Sequence, residues 1–188
     1  APVPGLKEFF MEGTYERLID MGVTHLRDFI AFVEKITGNK MDWGKFNETV
    51  DLIIEINRVL HETNELRKAK PCPMHSRDFW SAMTPALMLM GDIKDSLKCY
   101  YDLYNEVKEL ADNHIGAVED EKYRMVFAEL PPWHSLKLFD RLAERGWNFV
   151  IESFGYHPPM PIDLSNVSDP LERITRFSLQ FFAGYYKD

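Results

Sequence analysis

The residues whose types could do chemistry form a polar triplet, His75-Ser76-Arg77, which follows a proline-rich loop. Ser76 is suited to cap a helix that begins at Arg77. The run from Phe79 to Met90 is apolar on nearly every side, which is typical of a buried helix. Free backbone N–H groups and an arginine at a helix N-terminus favour an anion or a polarised oxygen. The triplet is therefore a candidate site, and the alternative is an ordinary capped helix with a surface arginine.

A second set of candidates follows two predicted strands, 123–128 and 148–153, which are separated by a helical pattern that ends at Gly146. Strand, short helix and strand predict a βαβ unit, and hence a parallel sheet with a right-handed crossover. Ligands of such sheets collect at the carboxyl ends of the strands. The polar residues there are Glu152, Ser153, Tyr156 and His157, with 129–133 after the first strand. The alternative is that Glu152 only ends a strand and His157 lies in a surface loop.

Helical patterns dominate the rest of the chain. We predict helices over 14–37, from Asp42 to about Lys68, over 93–113 and after Asp169-Pro170. The short link at 38–41 predicts that the first two pair antiparallel. The predicted fold is mainly α with a small α/β part, in which a helical arm of three to four long helices (1–115) precedes the start of a Rossmann-like parallel sheet (116–188). Two strands make an incomplete sheet, so we expect the chain to be a segment of a longer polypeptide.

Composition excludes several classes of function. A net charge of −8 disfavours nucleic acid as a partner, and no apolar run is long enough to span a membrane. The two cysteines, Cys72 and Cys99, form no disulfide framework and indicate a reducing cytoplasm. Cys72 and His75 lack the further ligands of a zinc site, so we predict no metal site, and Cys99 is expected in the core. The sequence also lacks a nucleophile elbow and a phosphate-binding loop.

An ordered series of motifs resembles the central region of the benzoyl-CoA reductase/2-hydroxyacyl-CoA dehydratase family. The series is NELRKAKPCPMHSRDFW, then EDEKYRMVFAELPPWHSLKLFDRLAERGWNFVIES, then DPLERI. The resemblance covers most of 14–176. It implies a subunit of an ATP-activated iron–sulfur radical enzyme that acts on acyl-CoA thioesters, by 2-hydroxyacyl-CoA dehydration or by reduction of an aromatic ring.

The same resemblance implies a [4Fe–4S] cluster, a paralogous subunit that completes a heterodimer, and a separate ATP-hydrolysing iron–sulfur activator. The chain departs from the family because its two cysteines cannot hold a cluster. We therefore expect the cluster ligands outside this segment, and we expect the segment alone to be inactive.

The resemblance also assigns roles. His75, Ser76 and Arg77 are expected to bind substrate, with Ser76 donating to the thioester oxygen and Arg77 holding a carboxylate or a CoA phosphate. Ser76 and Glu152 are the predicted catalytic residues. The alternative is a non-catalytic helical interaction module, whose aromatic side chains dock a partner. The aromatic residues concerned are Trp80, Trp133, Phe181 and Phe182.

Overall fold

A computed structural model describes residues 14–88, 91–128, 130, 132–152 and 162–183, with the side chains of 86–88 and 181–183 outside the description. Six α-helices and two strands lie in these ranges. They are α1 (Thr14–Thr37), α2 (Trp43–Leu66), α3 (Ser76–Met88), α4 (Ile93–Asp112), β1 (Tyr123–Phe127), α5 (Lys137–Ala143), β2 (Trp147–Glu152) and α6 (Pro170–Ala183), with a 3₁₀ turn at Trp133–Ser135. The predicted class, mainly α with a small α/β part, is confirmed. None of the described helices is both long and apolar enough to cross a bilayer.

The chain divides into two compact units, and α2 contributes to both. The first unit contains α1, the part of α2 up to Ile54, and α6. The second unit runs from Glu55 through β2 and therefore contains every described candidate site residue. The predicted division into a helical region (1–115) and an incomplete α/β domain (116–188) stays a prediction.

In the first unit, α1 packs most closely against α6, whereas the sequence predicted α2 as its partner. α1 and α6 can approach closely because Gly22 has no side chain, and Thr175 of α6 occupies the space that a side chain would fill. A Cβ atom built on Gly22 would lie 2.7 Å from Cγ2 of Thr175. Ion pairs from Arg27 to Asp169 and from Arg176 to Glu16, both 2.6 Å, join the same two helices.

The core of the second unit lies where α3 meets the sheet and α5. Its buried members are mostly large and apolar, which suits the interior of a small α/β layer. They are Met74, Phe79, Trp80, Val107, Phe139 and Phe149. Phe127, Phe139 and Phe149 pack edge to face, with ring centroids 5.2–5.7 Å apart. A second cluster around Ile56, Val59 and Tyr100 joins the end of α2 to α4.

The two strands pair in parallel, as predicted, with Tyr123 opposite Trp147 and Phe127 opposite Glu152. The register shifts between Met125 and Val126, so one extra residue of β2 fits against β1. Gly146 precedes β2 with φ +81°, a conformation that glycine adopts without strain. The crossover through α5 brings the end of β2, with Glu152, to the start of α3.

Candidate functional site

The N-terminus of α3 is capped by His75 and not by Ser76. The carbonyl of His75 accepts the N–H groups of Asp78 and Phe79 at 3.0 Å, and its Nδ1 accepts the N–H of Arg77 at 3.2 Å. The prediction that Ser76 caps a helix starting at Arg77 is therefore wrong. Ser76 is the first helical residue, and its hydroxyl binds residues of β2 instead of a backbone N–H of the helix.

The His75 side chain is buried, with 4% of its surface exposed. Because Nδ1 accepts a hydrogen bond, the proton of the neutral ring lies on Nε2. Nε2 has no hydrogen-bond partner among the described residues. Burial lowers the pKa of His75 below its ordinary value, against the opposing field of Asp78. The site thus contains a neutral, buried N–H donor.

Arg67, at the end of α2, forms a buried ion pair with Glu152, at the end of β2. Its Nη1 and Nη2 atoms lie 2.6 Å from the two carboxylate oxygens, and the two side chains are 1% and 0% exposed. Nη1 also donates to Asn64 at 2.9 Å, Nη2 donates to the carbonyl of Phe149 at 3.3 Å, and the guanidinium stacks 4.4 Å above the ring of Phe79. These bonds satisfy both Nη groups and the carboxylate, as a buried ion pair requires, whereas the buried Nε of Arg67 has no hydrogen-bond partner among the described residues.

Ser76 completes this cluster. Its hydroxyl lies 2.6 Å from the carbonyl of Phe149 and makes a short hydrogen bond with Glu152. The side chain is fully buried. The structure thus brings Ser76 and Glu152 together, as their shared assignment to one cleft requires, and their predicted catalytic roles stay a prediction. We call Arg67, Ser76 and Glu152 the buried polar cluster.

Arg77 is the accessible member of the triplet, with 42% of its side chain exposed. It pairs with Asp78 at 2.8 Å and with Asp140 of α5 at 2.6 Å. Together with its Nε contact to Asp78, these pairs use three of five N–H donors. Within the described ranges the other two donors have no partner, so they can bind an oxygen of a bound molecule.

The loop between α2 and α3 is held by two side chains from the start of the sheet. Glu121 accepts the N–H of Cys72 at 3.2 Å and the side-chain amide of Asn148 at 2.7 Å. Arg124 donates to the carbonyls of Ala69 and Arg67. These bonds fix the path by which the chain turns from α2 into α3.

Sequence reasoning missed Arg67, Glu121 and Arg124 as members of this region. A usable signal was present, because a glutamate at the end of a buried strand needs a cation, and Arg67 precedes the candidate triplet. The predicted residues Ser153, Tyr156 and His157, with residues 129 and 131 of the other strand end, lie outside the described residues.

Comparison with known proteins identifies the family to which this chain belongs. A family model described as 2-hydroxyglutaryl-CoA dehydratase, D-component, matches residues 4–184. The chain belongs to the 2-hydroxyacyl-CoA dehydratase family. The resemblance predicted from the sequence motifs is therefore confirmed.

A curated member of the dehydratase family, the (R)-phenyllactyl-CoA dehydratase alpha subunit of Clostridium sporogenes, is 30% identical to the chain over 136 residues. The aligned region covers 68% of this chain and 33% of that subunit. The chain thus spans about a third of the length of the dehydratase subunit that it matches.

The residues of this dehydratase-family chain do not fit an iron–sulfur cluster, which takes three or four thiolate ligands. The sequence contains two cysteines. The Cys72 thiol is buried and donates to the carbonyl of Met74 at 3.3 Å, whereas Cys99 is exposed on α4, contrary to the prediction that it lies in the core. Within the described ranges, no group of three His, Cys, Asp or Glu side chains could hold a metal ion.

Proposed function

We propose that this chain is part of a subunit of an enzyme that dehydrates 2-hydroxyacyl-CoA thioesters. The observation that carries the proposal is the family match over 4–184, which includes the whole candidate site. In the reaction, the hydroxyl group on the α-carbon and a proton from the β-carbon leave as water, and a 2-enoyl-CoA thioester remains.

Within this chain, we assign substrate binding to the start of α3. Arg77 is accessible, and two of its N–H donors have no partner in the part of the chain that the structure describes, so they can bind a carboxylate, a phosphate or the thioester oxygen. His75 supports the same assignment, because its buried Nε2–H has no acceptor in the described part of the chain, and a substrate carbonyl oxygen would satisfy it. Burial favours a positioning role for Ser76 and Glu152, whose polar atoms already bind each other and Arg67.

The remaining parts of the proposed enzyme lie outside these residues. We propose a paralogous second subunit, an ATP-hydrolysing iron–sulfur activator and a [4Fe–4S] cluster whose cysteines are not among residues 1–188. When bound, the cluster supplies an electron of low potential. The two cysteines of this chain and the acidic surface suit a cytoplasmic enzyme of this kind.

The test is turnover by the assembled enzyme. The full subunit that contains this chain would be purified anaerobically with its second subunit and activator, supplied with MgATP and a reductant, and given (R)-phenyllactyl-CoA. The proposal expects loss of one water and formation of the enoyl-CoA product, measured by mass spectrometry of the thioesters.

Benzoyl-CoA supplied to the same preparation separates dehydration from ring reduction. Reduction of benzoyl-CoA without dehydration would overturn the assigned reaction. If activator-dependent reduction of the complex were normal and neither thioester reacted, the alternative of an interaction module would replace an enzymatic role.

A further inference from the structure

Arg77 lies between two carboxylates that come from different helices. Its Nε and Nη2 atoms lie 2.9 and 2.8 Å from one oxygen of Asp78, the next residue of α3. Its Nη1 atom lies 2.6 Å from a carboxylate oxygen of Asp140, a residue of α5 that is 63 positions further along the chain. The guanidinium is therefore held from two sides by charge-assisted hydrogen bonds, which are the stronger kind.

The charges at the start of α3 sum to a negative value. Asp78 and Asp140 contribute two negative charges against the one positive charge of Arg77. The ring of His75 adds none, because burial lowers its pKa, although the fields of both carboxylates act to raise it. Arg67 is the other cation whose field acts on His75, and its charge is balanced inside the buried polar cluster. Among the described residues, one carboxylate charge is therefore left over at this site.

This excess of negative charge decides which kind of oxygen the site favours. A carboxylate or phosphate bound to Arg77 would lie beside both protein carboxylates, and like charges placed together at a binding site are disfavoured. The side chains of Arg77, Asp78 and Asp140 are 42%, 47% and 37% exposed, so solvent screens their charges only in part. An uncharged thioester or hydroxyl oxygen can accept a hydrogen bond from the guanidinium without this repulsion.

We propose that Asp78 and Asp140 make this site selective for 2-hydroxyacyl groups that carry no charge. Arg77 donates to the neutral thioester oxygen, and the two carboxylates disfavour an acyl chain that ends in a carboxylate of its own. Asp140 is the specificity-determining residue that sequence spacing does not reveal, because it reaches Arg77 only through the packing of α5 on α3. The identification of the ligand as a CoA thioester rests on the proposed function, whereas the charge balance follows from the contacts of Arg77.

Two ligands that differ only in charge test this selectivity. (R)-2-hydroxyglutaryl-CoA has a free carboxylate at the end of its acyl chain, and the corresponding terminal amide has the same shape and no charge there. Each would be titrated by calorimetry into the full subunit assembled with its second subunit, without activator or ATP, so that no turnover occurs. We expect the amide to bind at least about tenfold more tightly than the carboxylate.

Removal of one protein charge should reduce the preference for the amide. Asp140→Asn keeps an oxygen that can accept from Arg77 and removes the charge. Binding of the carboxylate ligand should therefore tighten by about fivefold or more, while binding of the amide changes by less than about twofold. Asp140→Glu retains the charge and should retain the preference.

Glu144→Gln is the matched control, because it removes the same charge from the end of the same helix. Glu144 directly follows α5, is exposed and forms no ion pair within the described ranges. Its substitution should leave both affinities unchanged. A variant whose packing is merely disturbed would weaken both ligands alike, so the ratio of the two affinities separates selectivity from a structural role.

The possible outcomes separate this selectivity from the proposed function. Equal affinities, tighter binding of the carboxylate or no binding of either ligand would overturn the selectivity, whatever the turnover. A preference that Asp140→Asn leaves unchanged, or that Glu144→Gln also abolishes, would overturn it as well. If the preference depended on Asp140 in a complex that dehydrated none of these thioesters and no (R)-phenyllactyl-CoA with activator and MgATP, the selectivity would stand and the enzymatic proposal would fail.

Discussion

Arg67 and Glu152 form an ion pair inside the protein, with both guanidinium Nη atoms 2.6 Å from the carboxylate oxygens. The two residues are 85 positions apart in the sequence. Arg67 directly follows the last residue of α2, before the loop that leads to α3, and Glu152 is the last residue of β2. The pair therefore links the turn that carries His75, Ser76 and Arg77 to the carboxyl end of the parallel sheet.

Removing the carboxylate from this ion pair should destabilise the protein. Glu152→Gln leaves the Arg67 guanidinium buried without a carboxylate, so the free energy of unfolding should fall by about 3–5 kcal/mol. Urea denaturation followed by tryptophan fluorescence measures the change. Arg67→Met should lower the free energy of unfolding much less in the Glu152→Gln background than in the wild type. In that background it leaves no buried carboxylate without a partner.

The exposed Lys98–Asp102 pair on α4 provides the control for this cycle. Its side chains are 78% and 65% exposed. Lys98→Ala should change stability by less than about 1 kcal/mol. Additive effects of Arg67→Met and Glu152→Gln would show that the buried pair is not coupled, contrary to the geometry.

The pH dependence of stability should report the burial of His75. Its pKa is lowered in the folded protein, so the unfolded chain binds the proton more strongly near pH 6. This contribution to stability is present above the unfolded pKa of about 6.5 and is lost as pH falls towards the folded pKa. The free energy of unfolding should therefore decrease as the pH falls from about 7.5 to about 5.5.

His75→Asn isolates this effect, since the asparagine oxygen can accept the N–H of Arg77 and does not titrate. The variant should lose less stability than the wild type over the same pH range, measured by urea midpoints at each pH. An identical pH dependence in both proteins would mean that His75 is not the group responsible.

The two thiols should differ in reactivity. Burial raises the pKa of the Cys72 thiol, and its Sγ is inaccessible, whereas Cys99 lies on the surface of α4. Because the thiolate is the reactive form, iodoacetamide should modify Cys99 in the native protein and Cys72 only after unfolding. Peptide mass spectrometry measures the extent of labelling at each cysteine. In a Cys99→Ser variant, rapid labelling of the native protein would contradict the burial of Cys72.

Gly22 permits the close crossing of α1 and α6. In Gly22→Ala the new methyl group would meet Thr175, and the resulting displacement should outweigh the helix propensity of alanine and cost about 1–3 kcal/mol. Thr175→Ser removes the opposing methyl group and keeps the hydroxyl that donates to Leu171, so it should restore part of the loss.

Gly44 near the start of α2 is the matched control, because the nearest atom to its added Cβ is 3.4 Å away. Gly44→Ala should be neutral or stabilising in the same unfolding assay. Equal losses at both glycines would show that the crossing of α1 and α6 is looser than the structure indicates.

Patterns that depend on local spacing were predictable from the sequence. Apolar periodicity gave α1, and the side chain of Asp42 accepts the N–H of Lys45, as expected at the start of α2. The alternation of strand, helix and strand gave the parallel pairing. These features arise from residues that are close in the chain.

Features set by tertiary partners were not predictable in the same way. Ser76 has a cap residue's side chain, but its hydroxyl binds the carbonyl of Phe149 and the carboxylate of Glu152. Cys99 adjoins the buried Tyr100, yet a rotation of 100° per residue places it on the exposed side of α4. Hydrophobic periodicity does not reveal that Arg67 is buried, because a single charged residue at the end of a helix is usually exposed to solvent.

Photoaffinity labelling tests the central claim, that the start of α3 contacts the acyl-CoA substrate. A 2-hydroxyacyl-CoA with a diazirine in its acyl chain would be irradiated with the full enzyme, with unmodified substrate as competitor. We expect competed labelling within residues 70–80. Competed labelling elsewhere in the enzyme, with none in this segment, would contradict it.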